Sequence, residues 1–278
     1  MGGQSLDKAE LERLLEQVLA LAREAGRRIL DVYERAYMVE TKDDASPVTE
    51  ADMAAHEVIV DGLQSLPHAW PVLSEESVDI PFSARARWDT YWLVDPLDGT
   101  REFIKRNGEF TVNIALIHDH EPVLGVVYVP VKDLYYYAAR GLGAWRREDD
   151  RPARRIHVRR AGQGPVIIAG SRSHASPRLQ EFVRNVGEAE LVSMGSSLKS
   201  CLVAEGRADV YPRLGPTSEW DTAAAQCVVE EAGGHVTDLQ GRRLLYNTKE
   251  SLLNPEFLVF GDDSVGWRGY LPREGGEG

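Results

Sequence analysis

Near Trp70 the spacing of apolar residues switches from a helical to an extended period, and the switch narrows the folds open to this chain. Before it, Leu11, Leu14, Leu15, Val18, Leu21, Ala22, Ala25, Ile29 and Val32 recur at three- and four-residue steps. That spacing predicts one amphipathic helix over about residues 7–36. A polar loop, KDDASP, follows. Thr49-Glu-Ala-Asp52 then reads as the start of a second helix running to about Leu63, with Thr49 as N-cap. After Trp70 the runs become short and β-like: Pro71–Ser74, Tyr91–Val94, Thr111–His118, Val123–Val129 and Leu134–Ala139. Strands this closely consecutive predict an α+β half with an antiparallel sheet.

The second half alternates. Val166–Ala169, Leu191–Met194 and Ala208–Tyr211 read as strands, and Pro177–Val186, Ser197–Glu205 and Thr222–Ala232 as helices. This is the pattern of an α/β half. A basic, Pro- and Gly-bearing stretch at Arg146–Gly164 is the expected join, so the division is set at 1–150 and 151–278.

Composition excludes several classes. The net charge of −12 argues against a broad surface for nucleic-acid polymers, which needs clustered Lys and Arg. It leaves room for a small anionic ligand whose charge a metal offsets. No stretch approaches the roughly 18 apolar residues of a membrane span. The first residues, MGGQSLDKAE, have neither a secretion signal's layout nor the myristoylation pattern, since Leu6 stands where Ser or Thr is wanted. The expected location is the cytoplasm, with peripheral attachment to the inner face of a membrane left open. Cys201 and Cys227 sit in apolar helical contexts without metal-ligand spacing and are expected as buried free thiols.

Chemistry concentrates at Trp92-Leu-Val-Asp-Pro-Leu-Asp-Gly-Thr-Arg-Glu-Phe103, where an apolar run ends in two aspartates. Asp95 and Asp98 repel each other unless protonated or bridged by a cation. Hard carboxylate oxygens suit Mg²⁺, which completes its shell with water and substrate phosphate. Gly99-Thr100 then lets backbone N–H groups approach an anion. An Asx turn with an N-cap would explain the same residues without a ligand. Three more acidic positions have equally plain alternatives: Glu75 and Glu76 on a loop, Asp221 as a cap, and Asp52 as the third-position acid of a capping box. Together, four acidic sites at strand ends and helix starts in both halves are what a carboxylate metal site requires.

The segments Pro47-Val-Thr-Glu-Ala-Asp52, Ser74-Glu-Glu-Ser77, Asp95-Pro-Leu-Asp-Gly-Thr100 and Trp220-Asp-Thr-Ala-Ala resemble the lithium-sensitive, Mg²⁺-dependent phosphatases of the inositol monophosphatase superfamily. DPLDGTREFIKRNGEFTVNIALI, GSRSHAS, GSSLKSCLVAEGRADVYPRLGPTSEWDTAA and SLLNPEF are similar to the CysQ-type 3′(2′),5′-bisphosphate nucleotidases within it. The likeness runs from about residue 10 to 260. It implies a layered αβαβα sandwich of the inositol monophosphatase (sugar phosphatase) type, with the site in a cleft. It also implies two or three Mg²⁺ held by Glu75, Asp95, Asp98 and the Leu97 carbonyl, with Asp221 joining from the second half and Asp52 serving a weaker third ion. Thr100 with Glu75 would orient and deprotonate the attacking water. The N–H groups of Gly99 and Thr100 would receive the scissile phosphate.

A bisphosphate needs a second anion position. Gly195-Ser196-Ser197-Leu-Lys199 is the expected one, with Arg213, and with Arg172, Lys105 and Arg106 as further contacts; Asp221 is expected to touch substrate too. The histidines, His174 included, are not expected as bases. The resemblance thus implies removal of the 3′-phosphate from adenosine 3′,5′-bisphosphate, and use of 3′-phosphoadenylyl sulfate, in clearing a by-product of sulfate assimilation. An inositol monophosphatase or a broader phosphatase of small phosphate esters is the alternative. A phospho-aspartate enzyme is disfavoured because the two acids stand one residue too far apart for D-x-D-G-T, and a regulator without turnover is the non-enzymatic reading. The partner is a small nucleotide, and the chain is a monomer or homodimer.

Overall fold

Two long helices cover one face of a seven-stranded sheet in the computed structural model, which describes residues 6–38, 47–77, 79–162, 164–171 and 176–272. Helix α1 (Lys8–Met38) and α2 (Pro47–Gln64) lie against each other. The helix-period residues Leu11, Val18, Ala22, Ala25 and Ile29 are buried as the spacing predicts. Small residues set the approach: a Cβ on Gly26 would stand 2.4 Å from the Tyr128 ring. Helix α2 begins at Pro47, a residue type preorganised for a first helical position, so Thr49 is inside the first turn and is not the N-cap.

The sheet runs β1 (Val72–Ser74), β2 (Thr90–Asp98), β3 (Thr111–His118), β4 (Glu121–Val129), β5 (Leu134–Ala139), β6 (Gly143–Glu148) and β7 (Arg154–Ile156), in chain order across the sheet. Strands β1 and β2 are parallel; the other neighbours are antiparallel. Short helices α3 (Phe82–Arg85) and α4 (Thr100–Ile104) flank β2. Side chains alternate strictly: Trp92 and Val94 join the α1–α2 layer, while Tyr91 and Leu93 join the layer behind. Both faces are covered, which is why β2 reads as a continuous apolar run and not as an apolar–polar alternation.

The second layer of helices, α6 (Leu198–Ala204) and α7 (Ala223–Glu231), fills the space behind this sheet. The three alanines that open α7 allow close contact: a Cβ on Gly125 of β4 would meet the Ala224 carbonyl oxygen at 2.3 Å. Beyond lies a mixed sheet of β8 (Val166–Ser171), β9 (Ala189–Met194), β10 (Val210–Arg213), β11 (His235–Asp238) and β12 (Phe257–Phe260), ordered β11-β12-β10-β8-β9. Helix α5 (Pro177–Val186) covers its outer face through Phe182, which packs with Ile168, Val210 and Leu258. The layers therefore run helix, sheet, helix, sheet, helix, the αβαβα sandwich expected.

Strands β6, β7, β11 and β12 and the short helix α3 are not among the elements expected, whereas α4 opens at Gly99-Thr100, where a short helix is expected. The first sheet extends through Arg154–Ile156 into the stretch read as a join, and the second begins at Val166. Residue 150 thus falls between two strands of one sheet. Both cysteines are buried and free. Among the described residues no helix is long and apolar enough to cross a membrane.

Candidate active site

The two aspartates of β2 are brought onto one site by a bulge. Asp95 stands opposite Asn113 and Asp98 opposite Thr111, so β2 carries one residue more than β3 between them. Pro96, which cannot donate a ladder hydrogen bond, occupies the irregular stretch. The Leu97 N–H donates to Asp95 Oδ1 at 3.0 Å, closing an Asx turn. Asp98 Oδ2 accepts from the Ser197 N–H at 2.6 Å and from Asn113 Nδ2 at 3.3 Å. Gly99 then adopts φ 101°, a left-handed conformation that suits glycine, and a Cβ there would press on the Phe110 backbone at 3.2 Å.

Asp221 arrives from a short turn, Glu219–Asp221, ahead of α7. The Ser218 side chain bonds the Asp221 N–H while the Ser218 N–H donates to Asp221 Oδ2 at 2.8 Å, a reciprocal capping box. Capping and site membership coexist: one carboxylate oxygen each from Asp95, Asp98 and Asp221 lies within 4.8 Å of the others. Glu75 follows β1 and shares a hydrogen bond with Asp95. Asp52, on α2, is bonded to Glu76 and has one carboxylate oxygen, Oδ1, buried without a partner.

Five acids so close together hold their protons tightly. Burial, then the charges of Asp98, Asp221, Glu75 and Asp52, push the Asp95 carboxyl well above the usual carboxylate range. Burial first and Asp98 second raise Asp221 to about 7. Burial, then Glu76 and Glu75, raise Asp52 to about 8. Glu75 and Asp98 are raised too, chiefly by burial, and Lys199 opposes the shift of Asp98. A cluster that repels itself in this way is a cation receptor at neutral pH. The all-oxygen donor set fits Mg²⁺, and so does the orphaned Asp52 oxygen. Glu75, Asp95, Asp98 and Asp221 would hold such ions, with Asp52 alongside.

Beside the acids opens a cavity of about 220 Å³, lined by Asp98, Gly99, Gly195, Ser196, Ser197, Lys199, Arg213 and Asp221 among others. Two groups on its wall are buried polar atoms without a hydrogen bond, Ser196 Oγ and Arg213 Nε. Lys199 is buried and donates to the Ser196 carbonyl at 2.5 Å, its ammonium facing Asp98; burial pulls its pKa down while Asp98 holds it up. Ser197 is engaged on both sides, by its N–H with Asp98 and by its hydroxyl with Asn113. Thr100 opens α4 next to Gly99 and is exposed. A second cavity of about 380 Å³ adjoins, sharing Arg101, Tyr211 and Arg213.

Some sequence expectations land elsewhere. Arg106 donates to the Tyr33 carbonyl at 2.7 Å and stacks 3.9 Å over its ring. Arg172 and His174 lie outside the described residues. Sequence reasoning passed over Arg101, Glu102, Tyr211 and Thr217 on the cavity wall, Glu76 as the partner of Asp52, and Asn113. Arg101 and Glu102 directly follow the D-G-T motif, so adjacency could have flagged them. Asn113 reaches Asp98 only through the β2–β3 register.

Comparison with known proteins identifies the family and the fold. The inositol monophosphatase family matches residues 10–259. The chain is 55% identical over 249 residues to the 3′(2′),5′-bisphosphate nucleotidase CysQ of Salmonella typhimurium strain LT2, covering 88% of this chain and 99% of that protein. It is 54% identical, with the same coverage, to CysQ of Escherichia coli K12. The crystal structure of CysQ from Bacteroides thetaiotaomicron superposes with a TM-score of 0.81 at 44% identity, over 90% of this chain and 97% of that one. An inositol monophosphatase from Zymomonas mobilis shares the fold, with a TM-score of 0.73 at 23% identity over 93% and 97% of the two chains. In fold, in acidic residues and in relatives of the CysQ type, the chain belongs to the inositol monophosphatase family.

Proposed function

We propose that this chain is a Mg²⁺-dependent 3′(2′),5′-bisphosphate nucleotidase, hydrolysing the 3′-phosphate of adenosine 3′,5′-bisphosphate to AMP and phosphate and accepting 3′-phosphoadenylyl sulfate. The observation that carries the reading is the convergence of Asp95, Asp98 and Asp221 beside a cavity walled by Lys199 and Arg213. Names of relatives at 54–55% identity support the substrate class.

A divalent cation bound among these acids would acidify water and offset charge on the phosphoryl oxygens. The chain's own residues do the rest. Glu75, its pKa raised, takes a proton from the attacking water with Thr100 orienting it. The N–H groups of Gly99 and Thr100 hold the scissile phosphate. Ser196, Lys199 and Arg213 supply the second anion position, in keeping with the unpartnered Ser196 Oγ and Arg213 Nε. The adjoining 380 Å³ cavity, walled by Leu179, Tyr211 and Pro212, has room for the nucleoside. Water adds to phosphorus, the bond to the ribose 3′-oxygen breaks, and that oxygen leaves with a proton.

The test is phosphate release from a matched panel of adenosine 3′,5′-bisphosphate, 3′-phosphoadenylyl sulfate, AMP and inositol 1-phosphate, with and without Mg²⁺. The reading expects Mg²⁺-dependent release with kcat/KM highest on the bisphosphate. A preference for inositol 1-phosphate would make the chain an inositol monophosphatase, and turnover undiminished in EDTA would defeat the metal reading.

A further inference from the structure

We propose that Asn254 is a positioning residue which, with the irregular segment carrying it, holds Asp221 against the aspartates of β2; the inference rests on the metal reading above. Asp95 and Asp98 are fixed by a sheet, whereas the Asp221 carboxylate takes its direction from the Ser218 N–H at the start of a three-residue helical turn, so it points where the Ser218–Thr222 stretch is held.

That role falls to the segment after β11. From Tyr246 to Glu256 it has no helix and only one bridging residue, Leu253, yet it is tied down throughout. The Asn254 N–H donates to the Thr217 carbonyl at 2.8 Å. Its side-chain amide donates to the Ser218 carbonyl at 2.7 Å and to Thr222 Oγ1 at 2.9 Å. One amide therefore bridges the residues on either side of Glu219–Asp221. The Glu219 N–H donates to the Leu252 carbonyl at 2.8 Å, and Asn247 N–H donates to the buried Glu219 Oε2 at 2.8 Å.

The segment is anchored in turn to the first half. Arg85, 2% exposed, donates to Asn247 Oδ1 at 2.5 Å and to the Lys249 carbonyl at 3.2 Å, and Asn247 Nδ2 returns a bond to the Arg85 carbonyl at 2.6 Å. The His120 carbonyl accepts from the Tyr246 N–H at 3.0 Å. Arg85 precedes β2, which carries both Asp95 and Asp98, and His120 lies in the turn between β3 and β4 of the same sheet. The chain of bonds thus refers Asp221 back to the frame of its partner ligands, which a free loop could not do. Partners of ligating groups typically govern metal affinity 10- to 100-fold.

The experiment is Mn²⁺ binding followed by electron paramagnetic resonance, with melting in EDTA recorded in parallel, on the full chain and on Asn254→Ala. The expected result is Mn²⁺ affinity weakened on the order of 10-fold, the Mg²⁺ concentration for half-maximal activity raised in proportion, and kcat recovered at saturating Mg²⁺. Asn254→Ser, which keeps one short donor, should fall between the two, and it serves as the reading variant if Asn254→Ala does not fold. Mn²⁺ affinity equal to the parent's, with only the melting temperature lowered, would reduce Asn254 to a structural residue and overturn the inference. A parent that binds no Mn²⁺ at all would overturn the metal reading, and this inference with it.

Discussion

Removing divalent cations should make this protein less stable as pH rises, and Asp221 is one carboxyl of the cluster through which the effect can be read. Asp221 is raised to about 7 against an ordinary 3.8, mainly by burial and then by Asp98. A difference of about three pKa units corresponds to roughly 4 kcal/mol, a large share of a typical folding free energy. The sign follows from proton counting. Between about pH 4 and pH 7 the folded protein keeps a proton that the unfolded chain releases, so stability falls as pH climbs and the loss is complete above the folded value. Groups held low, such as Asp238 and Asp262, act in the opposite sense, and only in more acidic solution. Asp221→Asn isolates the contribution, because Asn can still accept the Ser218 N–H but carries no charge. In EDTA near pH 4, where the unfolded chain still holds about half of this proton, parent and variant should melt close together. At pH 8 the variant should melt higher, by up to about 8 °C at roughly 2 °C per kcal/mol for a chain of this size. Saturating Mg²⁺ should erase the parent's loss and leave the variant little changed. Parallel melting curves for the two proteins from pH 5 to 8 would refute the claim that the acid cluster repels itself in the absence of a cation.

Other outcomes follow from the same geometry. Asp98→Asn, which removes a charge the Ser197 N–H and Asn113 orient, should lower kcat on the order of 10²-fold or more with the fold retained by circular dichroism. Lys199→Met should raise KM for a 3′,5′-bisphosphate more than for a monophosphate, and an equal loss would remove the second anion position from Lys199. Gly125→Ala, whose new Cβ would stand 2.3 Å from the Ala224 carbonyl, should destabilise by about 1–3 kcal/mol in urea unfolding. Lithium at millimolar concentration should inhibit phosphate release, and indifference to it would speak against a third cation near Asp52.

Much of this architecture was legible because period and punctuation agree. Strands β3 and β5 and helix α5 have the bounds their apolar spacing predicts. Strands β6 and β7 were not legible, since Arg146, Arg154 and Arg155 look like a solvated linker. Their charges are met by tertiary partners: Arg146 and Arg154 both reach Glu205, at the end of α6 and far along the chain. Thr49 misled because a capping pattern can begin inside a helix already started by proline. At the site, the acids could be found from chain position, as each sits at an element end. Their supporting residues could not. Asn113 depends on strand register, and Asn254 on a segment with no period to read.

The helix layer between the two sheets has a consequence for how the protein is made. The inner face of the first sheet is complete once Ile156 has left the ribosome, but its cover, α7, is encoded at Ala223–Glu231. During that interval Leu93, Ala115, Val127 and Tyr136 present a broad oily surface with no partner. A nascent chain in this state is sticky, and so is any fragment truncated before α7. Chains ending before α7 are therefore expected to aggregate under conditions in which the full chain does not.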